Sequence, residues 1–249
     1  MKEFGLIGFP LSHSWSGRFF SARFRKAGLD DYTYHLFPLP DLKQFPGFIR
    51  EHPRLAGFNV TIPHKERILP FLDSLDCEAE EIGAVNTVLI RRNEDGVLLH
   101  GHNTDAGGFL QSADFSGYTQ ALVLGTGGSA RAICHALKSL GITPILVSRH
   151  PVQPGILSYA ELEPALFGES RLIINCTPCG MYPEIGSVPP IPYQWITPGH
   201  FLYDLVYNPD ETVFLKKGAA KGARIQSGFA MLQIQAELAF RLFTGSPLQ

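Results

Sequence analysis

The segment from Gln120 to His150 constrains the fold of this chain more than any other. It reads QALVLGTGGSARAICHALKSLGITPILVSRH: an apolar strand, a glycine-rich turn, a helical pattern and a second apolar strand. This is one complete βαβ unit of about thirty residues. Two later apolar runs, RLIINCTP and HFLYDLVYN, have the composition of buried parallel strands. The C-terminal half is therefore predicted to contain a parallel α/β sheet.

The turn inside this unit has the spacing G-x-G-G-x-A between a strand and a helix. Glycines let the backbone approach a phosphate closely, and a helix N-terminus offers free N–H groups with partial positive charge. Such turns also serve as ordinary strand–helix connections, but a complete βαβ unit around one favours a dinucleotide site. The predicted cofactor contacts in this turn are Gly125, Thr126, Gly127, Gly128, Ser129 and Ala130.

The second strand of the unit ends in Ser148, Arg149 and His150. A site for NAD usually has an acidic residue here, bonded to the ribose hydroxyls, whereas an arginine suits the 2′-phosphate of NADP. We therefore predict NADP, with Arg149 and Ser148 as donors to that phosphate. The alternative is a surface arginine with no ligand.

The N-terminal half mixes short strands with helices. Strands are predicted in EFGLIGFP, YTYHLFPL and LAGFNVTIP, and a hairpin in AVNTVLIRR and GVLLHGHN around the turn NEDG. Helical patterns are SGRFFSARFRKAG, ERILPFLDSL with a break at Pro70, and CEAEEIGA. The final segment GFAMLQIQAELAFRLFTG predicts an amphipathic helix that ends at Gly245.

Composition narrows the class of protein. With 249 residues, 45% hydrophobic and 18% charged, the chain suits two globular domains. A net charge of -2 without a basic cluster argues against a nucleic-acid partner. No stretch has the roughly 18 apolar residues of a membrane span, and the broken apolar run at the start is unlike a signal peptide. A cytoplasmic location is expected.

The cysteines do not indicate a metal site. Cys176 and Cys179 have suggestive spacing in NCTPCG, but a zinc site needs a second pair of ligands. A redox pair is one interpretation, and two partly buried thiols at a strand end are the other. We predict no metal.

Nine motifs, in order along the chain, resemble those of the shikimate dehydrogenase family. They are GFPLSHSWS, NVTIPHKE, IGAVNT, GHNTDAGGF, LGTGGSARA, VSR, INCTPCGM, YDLVYNP and GFAMLQIQA. The resemblance implies an α/β substrate domain (1–103 plus 228–249), a Rossmann-type NADP domain (104–227) and a C-terminal helix that returns to the first. It implies an enzyme that reversibly reduces 3-dehydroshikimate to shikimate with NADPH, in aromatic amino-acid (chorismate) synthesis.

The resemblance assigns catalysis to Lys65 and Asp105. From the residues alone, His64 and Lys65 are competing basic groups after a strand that ends at Pro63, and a lysine there is commonly a surface residue. The family pattern selects Lys65 as the group that handles the proton of the C3 oxygen, with Asp105 orienting it. Whether Lys65 carries the proton or acts only electrostatically stays open.

Further contacts are implied by the resemblance. Ser14 and Ser16 would hold the substrate carboxylate, although Ser16 could equally cap the following helix. Gln235 could be a satisfied core amide in an otherwise apolar helix. The implied substrate contacts are Ser14, Ser16, Asn59, Thr61, Asn86, Tyr207 and Gln235, and the implied contacts to the nicotinamide half are Thr177, Leu205 and Gly228.

Two departures from the family pattern leave alternatives open. Gly17 stands where the family commonly has proline, and only His150 offers a second basic group after Arg149. Use of NAD, or activity on quinate, is therefore an alternative. A sensor without turnover is a third hypothesis, against which the Lys65/Asp105 pair argues. The resemblance implies either a monomer or a homodimer.

Overall fold

The structure, a computed structural model, describes residues 1–11, 14–94, 96–151 and 153–245. Ser12 and His13 of GFPLSHSWS and Asp95 of the NEDG turn lie outside this range. The strands are β1 (Lys2–Gly8), β2 (Tyr32–Pro38), β3 (Leu55–Val60), β4 (Ser74–Leu75), β5 (Thr87–Asn93), β6 (Gly96–His102), β7 (Gln120–Leu124), β8 (Thr143–Ser148), β9 (Leu157–Ser158), β10 (Leu172–Asn175), β11 (Phe201–Asp204) and β12 (Arg224–Ser227).

The helices alternate with these strands over much of the chain. They are α1 (Ser16–Lys26), α2 (Phe45–Glu51), α3 (Cys77–Ile82), α4 (Asp105–Leu110), α5 (Gly128–Ser139), α6 (Pro164–Glu169), α7 (Val213–Ala219) and α8 (Phe229–Thr244). Short 3-10 turns occupy Leu42–Gln44, Leu69–Phe71, Tyr159–Glu161 and Tyr193–Trp195. Among the described residues, no helix has the length and apolar character needed to cross a membrane.

The chain divides into two compact units, the first comprising Met1–Gly107 and the chain from Gln235 onwards. Its sheet has the strand order β2-β1-β3-β5-β6-β4. Strands β2, β1 and β3 are parallel, and β3, β5 and β6 pair antiparallel. The predicted hairpin is therefore present as β5 and β6. The C-terminal end of β3 leads directly into the turn that carries Lys65.

Aromatic rings join α1 and the end of α8 to this sheet. Phe20, Phe24 and Phe243 are buried, and the rings of Phe4 and Phe243 lie 4.6 Å apart. Beside them, Arg23 donates two hydrogen bonds to Glu237, at 2.7 and 2.8 Å. The C-terminal helix thus packs on the first unit, as the resemblance implies.

The second unit, Gly108–Ile234, contains a parallel sheet of order β12-β11-β10-β7-β8-β9. Counted from β7 along the chain, this is the order 3-2-1-4-5-6 of a doubly wound dinucleotide-binding sheet. The strand order reverses between β7 and β10, and ligands bind at the carboxyl ends of the strands flanking such a reversal. The predicted Rossmann-type fold is confirmed.

The domain boundaries predicted after residues 103 and 227 stay a prediction. The division into units falls after Gly107 and after Ile234. It therefore groups Asp105 with the first unit, and Gly228 with the second.

The helical prediction for ERILPFLDSL is wrong. Only the 3-10 turn Leu69–Phe71 forms, and the chain continues into β4. Pro70 lacks the N–H that an α-helix needs, and the backbone of Asp73 instead donates to Leu99 of the hairpin. In contrast, α2 (Phe45–Glu51) forms where the sequence analysis predicts no helix. Pro46 lies in the first turn of α2, where its missing N–H costs nothing.

The Arg23–Glu237 pair gives a first prediction. We expect Arg23→Met to lower the free energy of unfolding by about 1–2 kcal/mol, because it removes a bidentate charge-assisted contact and the stacking of the guanidinium 3.9 Å from the Phe240 ring. Urea unfolding measures the loss. Arg25→Met, an exposed position on the same helix, is the matched control and should change stability by under about 0.5 kcal/mol. Equal losses in both variants would contradict the prediction.

Candidate active site

Lys65 and Asp105 form a close ion pair in the first unit. The Lys65 Nζ donates to Asp105 Oδ2 at 2.6 Å, and the side chains are only 14% and 6% exposed. Asp105 begins α4, where the Asn103 side chain accepts hydrogen bonds from the backbone N–H groups of Asp105 and Ala106. The sequence NTD is thus a helix start that also directs the carboxylate of Asp105 to the lysine.

The turn that carries Lys65 is held at both ends. The His64 N–H donates to the Thr61 carbonyl, and the Val85 N–H donates to the Lys65 carbonyl. The buried His64 imidazole donates from Nε2 to the Leu39 carbonyl at 2.6 Å. His64 therefore fixes the turn to the end of β2, while Lys65 extends from the turn to Asp105.

Asn86 connects this ion pair to two further polar groups. Its Nδ2 donates to Asp105 Oδ1 and to Thr104 Oγ1, both at 2.9 Å, and its Oδ1 accepts from the Thr104 N–H at 2.8 Å. The Gln235 Oε1 lies 3.4 Å from both Asn86 Nδ2 and Thr104 Oγ1. Lys65, Asp105, Asn86 and Gln235 are thus brought together as predicted residues of one site, although they are far apart in sequence.

Thr104 is a member of this cluster that sequence reasoning missed. It is 5% exposed, and its hydroxyl and N–H both contact Asn86. The signal that could have indicated it is its position immediately before Asp105, in the short connection between β6 and α4.

Asn59 is buried in the sheet, and its side chain bonds to residues of the neighbouring strands. Its Oδ1 accepts from the Tyr34 hydroxyl at 2.8 Å, and its Nδ2 donates to Thr87 Oγ1 at 3.0 Å. Burial raises the pKa of Tyr34 well above its ordinary value, although a hydrogen bond with Ser16 opposes the shift, so this hydroxyl stays a donor. Asn59 joins β2, β3 and β5, and its contact with substrate stays a prediction.

Ser14 and Ser16 lie at the start of α1, both half-buried. Ser14 Oγ accepts from the Ser16 N–H at 3.3 Å, and Trp15 occupies the N-cap position without a side-chain cap. The alternative role of Ser16 as N-cap is therefore wrong, because Ser16 is already the first residue of the helix. Thr61, also half-buried, follows β3 and packs its methyl group against Gly8.

In the second unit, the glycine turn lies against the end of β10. Gly125 has φ +108°, a conformation that favours glycine, and a Cβ there would lie 3.2 Å from the Thr177 methyl group. Helix α5 begins at Gly128, with Thr126 and Gly127 exposed, Ser129 half-buried and Ala130 buried. The glycine turn therefore connects β7 to α5 as predicted, and its contacts with a phosphate stay a prediction.

The end of β8 presents its polar residues to solvent. Arg149 and His150 are exposed and Ser148 is half-buried. The His150 N–H donates to Ser148 Oγ at 3.2 Å, which closes a tight turn around Arg149. Arg149 is thus an exposed residue of the turn that follows β8, and its contact with a 2′-phosphate stays a prediction.

Three predicted contacts gather at the carboxyl edge of the same sheet. Thr177 follows β10, and the Leu205 N–H donates to the carbonyl of Asn175 at 2.9 Å. Gly228 packs directly on the Leu205 carbonyl, too closely for any side chain. Tyr207 is half-buried in the loop that follows β11.

Comparison with known proteins decides the family. The model of the shikimate dehydrogenase substrate binding domain matches residues 6–88. A shikimate dehydrogenase (NADP(+)) from Desulforamulus reducens is 37% identical over 97% of this chain and 89% of its own length. One from Caldanaerobacter subterraneus subsp. tengcongensis is 38% identical over 98% of this chain and 92% of its own length. This chain belongs to the shikimate dehydrogenase family.

A solved structure of the family has the same fold. The crystal structure of shikimate 5-dehydrogenase from Thermus thermophilus, in complex with NADP(H) and shikimate, aligns with a TM-score of 0.84. It is 37% identical in sequence, and the alignment covers 98% of this chain and 94% of that chain. The resemblance drawn from the nine motifs is therefore confirmed over nearly the full length.

The thiols of this shikimate dehydrogenase family member do not gather into a metal site. The four cysteines all lie in the described ranges and none forms a disulfide, and Cys176 and Cys179 are half-buried after β10. In the part of the chain that the structure describes, no group of three or more His, Cys, Asp or Glu side chains is arranged to hold a metal ion. Cys176 and Cys179 are therefore two half-buried thiols after the end of a strand, in agreement with the interpretation that they are not a redox pair.

Asp204 is a second buried carboxylate, at the end of β11. It is 0% exposed, and burial raises its pKa to about 6, despite hydrogen bonds from Thr212, Val206 and Asn175 that favour ionisation. Unlike Asp105, it has neutral groups as its hydrogen-bond donors. Sequence reasoning gave it no role.

The raised pKa of Asp204 predicts a pH-dependent stability. The folded protein binds this proton more tightly than the unfolded chain, so the stability that Asp204 contributes is full below about pH 4 and is lost as the pH rises to about 6. Asp204→Asn cannot ionise. We expect its stability relative to the parent protein to improve by on the order of 3 kcal/mol between about pH 4 and pH 7. Urea unfolding at each pH measures this, and a constant difference would refute it.

Proposed function

We propose that this protein is an NADP-dependent shikimate dehydrogenase that reversibly reduces 3-dehydroshikimate to shikimate. The observation that carries the proposal is the buried Lys65–Asp105 pair with its Asn86 contact, in a chain whose relatives are 37–38% identical and named as this enzyme. An oxidation of a ring hydroxyl needs a group that exchanges a proton with that oxygen, and Lys65 supplies one.

Lys65 would transfer or hold the proton of the C3 oxygen. Its ammonium is largely withdrawn from water, so a hydrogen bond from it to a developing alkoxide would be stronger than one made in solvent. Asp105 keeps the lysine near the reacting oxygen. Asn86 in turn donates to Asp105 Oδ1, which leaves Oδ2 aimed at the lysine.

Substrate recognition would use the polar residues around this pair. Ser14 and Ser16 are paired at the start of α1, where their hydroxyls can donate to a carboxylate. Contacts to the ring hydroxyls are proposed from Asn59, Thr61, Asn86 and Gln235. The family resemblance also assigns Tyr207 a substrate contact. Of these, Asn86 and Gln235 already lie beside the ion pair, which makes them the best supported.

The second unit has the features that NADP requires. The open N-terminus of α5, the positive φ of Gly125 and the close approach of Gly228 to Leu205 suit a pyrophosphate and a nicotinamide ring lying along the carboxyl edge. When bound, NADPH supplies the hydride. Arg149 would hold the 2′-phosphate, and Thr177 and Leu205 would line the nicotinamide half. A cytoplasmic location and a monomeric or dimeric state remain predictions from sequence.

The role of Lys65 has a direct test. We expect Lys65→Ala to lower kcat for shikimate oxidation by about 10³-fold or more, with a much smaller change in KM, because a proton-transfer group and its charge are lost together. Absorbance at 340 nm measures turnover. Lys43→Ala, at an exposed site of the same unit, is the control and should retain full activity. A Lys65→Ala enzyme with a tenth of the parent kcat would exclude this role.

The cofactor preference is tested through Arg149. Arg149→Ala should raise KM for NADP by about 10- to 100-fold, the loss of a charge-assisted phosphate contact, while leaving KM for NAD unchanged. Lys138→Ala, exposed at the far end of α5, controls for the loss of a positive charge. Parallel assays with quinate and with NAD distinguish the alternative substrate and cofactor. Equal effects of Arg149→Ala on both cofactors would contradict the assignment.

A further inference from the structure

A chain of hydrogen bonds in the second unit begins at the buried carboxylate of Asp204. Its Oδ1 accepts from Asn175 Nδ2 at 2.9 Å and from the Val206 N–H at 3.0 Å. Its Oδ2 accepts from Thr212 Oγ1 at 2.6 Å. A buried carboxylate is costly unless donors surround it, and here each oxygen has its own set.

Asn175 passes the constraint from Asp204 to Thr177. Its Oδ1 accepts from the Thr177 N–H at 3.0 Å and from Thr177 Oγ1 at 2.6 Å. Its Nδ2 also donates to the carbonyl of Cys179 at 3.2 Å. Both the oxygen and the nitrogen of the Asn175 side chain are thus hydrogen-bonded. The orientation of this amide therefore sets the path of the chain from Asn175 to Cys179.

Thr177 then meets the glycine turn at the point where the strand order reverses. Thr177 and Gly125 follow β10 and β7, the two strands that flank this reversal. The backbone of Cys176 and the methyl group of Thr177 lie against Gly125 so closely that a Cβ would be 3.2–3.3 Å away. A shift of Thr177 would therefore move the wall of the proposed cofactor site.

The same carboxylate oxygen also fixes the end of β11. Through the Val206 N–H, Oδ1 sets the turn that leads from Asp204 through Leu205 towards Tyr207. Gly228 packs against the carbonyls of Asp204 and Leu205 on the other side. Two neighbouring strand ends, both in the proposed cofactor site, are thus held by a single oxygen atom.

We propose that Asp204 is a positioning residue for the cofactor: Oδ1 orders Asn175 and Val206, and through them holds Thr177 and Leu205 at the nicotinamide end of the site. It acts through these residues and touches neither substrate nor cofactor. The inference rests on the proposed function in taking Thr177 and Leu205 as cofactor contacts.

The two oxygens of Asp204 have separable tasks, which makes the proposal testable. Oδ2 bonds Thr212, which caps α7 by accepting from the Leu215 N–H. Thr212→Val removes the cap and the bond to Oδ2 but leaves Oδ1 with both its donors. Asp204→Asn keeps an acceptor at Oδ1 and can donate from its amide to Thr212. Asp204→Ala removes everything.

The experiment measures the dissociation constant of NADP⁺ by calorimetry, together with kcat and KM for shikimate oxidation and the thermal unfolding of each variant. We expect Asp204→Ala to weaken NADP⁺ binding by about 10-fold and to lower kcat. Asp204→Asn should bind NADP⁺ within about threefold of the parent. Thr212→Val should lose thermal stability yet keep its NADP⁺ affinity within about twofold.

Three results would overturn the proposal: a folded Asp204→Ala protein with parent NADP⁺ affinity, a folded Asp204→Asn protein that binds as weakly as Asp204→Ala, or weakening by Thr212→Val equal to that by Asp204→Ala. If Asp204→Ala does not fold, Asn175→Ala replaces it, because the path to Thr177 passes through that amide. A parent protein that binds NADP⁺ but does not oxidise shikimate would count against the proposed function alone, since the binding comparison remains valid.

Discussion

The amide of Asn86 is the contact on which the arrangement of the first unit's polar cluster depends. Its nitrogen donates to Asp105 and Thr104, and its oxygen accepts from the Thr104 backbone. Turning the amide over would set its oxygen against the carboxylate of Asp105 and its nitrogen against an N–H group. One orientation is therefore strongly favoured, and with it the direction in which Asp105 presents its second oxygen to Lys65.

Each unit has a buried aspartate that accepts a hydrogen bond from an asparagine side chain, but the two aspartates differ in electrostatic surroundings. Asp105 accepts from Asn86, and Asp204 accepts from Asn175, each at 2.9 Å. Lys65 balances the charge of Asp105, whereas Asp204 has neutral donors, and burial raises its pKa to about 6. A similar hydrogen bond from an asparagine is therefore made to a carboxylate paired with a lysine in one unit, and to a buried carboxylate held by neutral donors in the other.

Local patterns predicted much of the fold, because hydrophobic runs and glycine turns act over short distances. The βαβ unit from β7 to β8, the β5–β6 hairpin and the stop of α8 at Gly245 all formed where the residues indicated. The motifs also predicted that Lys65 and Asp105 act as a pair, and the two side chains form an ion pair. The failures involve contacts between distant segments: Pro70 ends a helical pattern where β4 pairs with the hairpin, and α2 forms despite Pro46.

Thr104 and Asp204 escaped prediction for the same reason. Both lie in motifs quoted above, GHNTDAGGF and YDLVYNP, but the motifs assign neither residue a role. Their contacts are with Asn86 and Asn175, which only the folded chain brings near. A single buried aspartate at a strand end cannot be distinguished in sequence from one that faces solvent. The two cases differ in the number of hydrogen-bond donors around the carboxylate, and that number depends on the tertiary structure.

Two sets of contacts hold helix α8 on different sides: an ion pair at Glu237 and neutral hydrogen bonds at Gln235. Glu237 is bound by Arg23, while Gln235, two residues earlier and about 200° around the helix axis, lies beside Asn86 and Thr104. The helix can neither roll nor slide without breaking one set. One residue inserted between the two positions would turn Gln235 by about 100° relative to Glu237. Both contacts can therefore form only when a single residue separates Gln235 from Glu237. The aromatic packing at the end of α8 thereby fixes the angular position of a polar side chain two turns away.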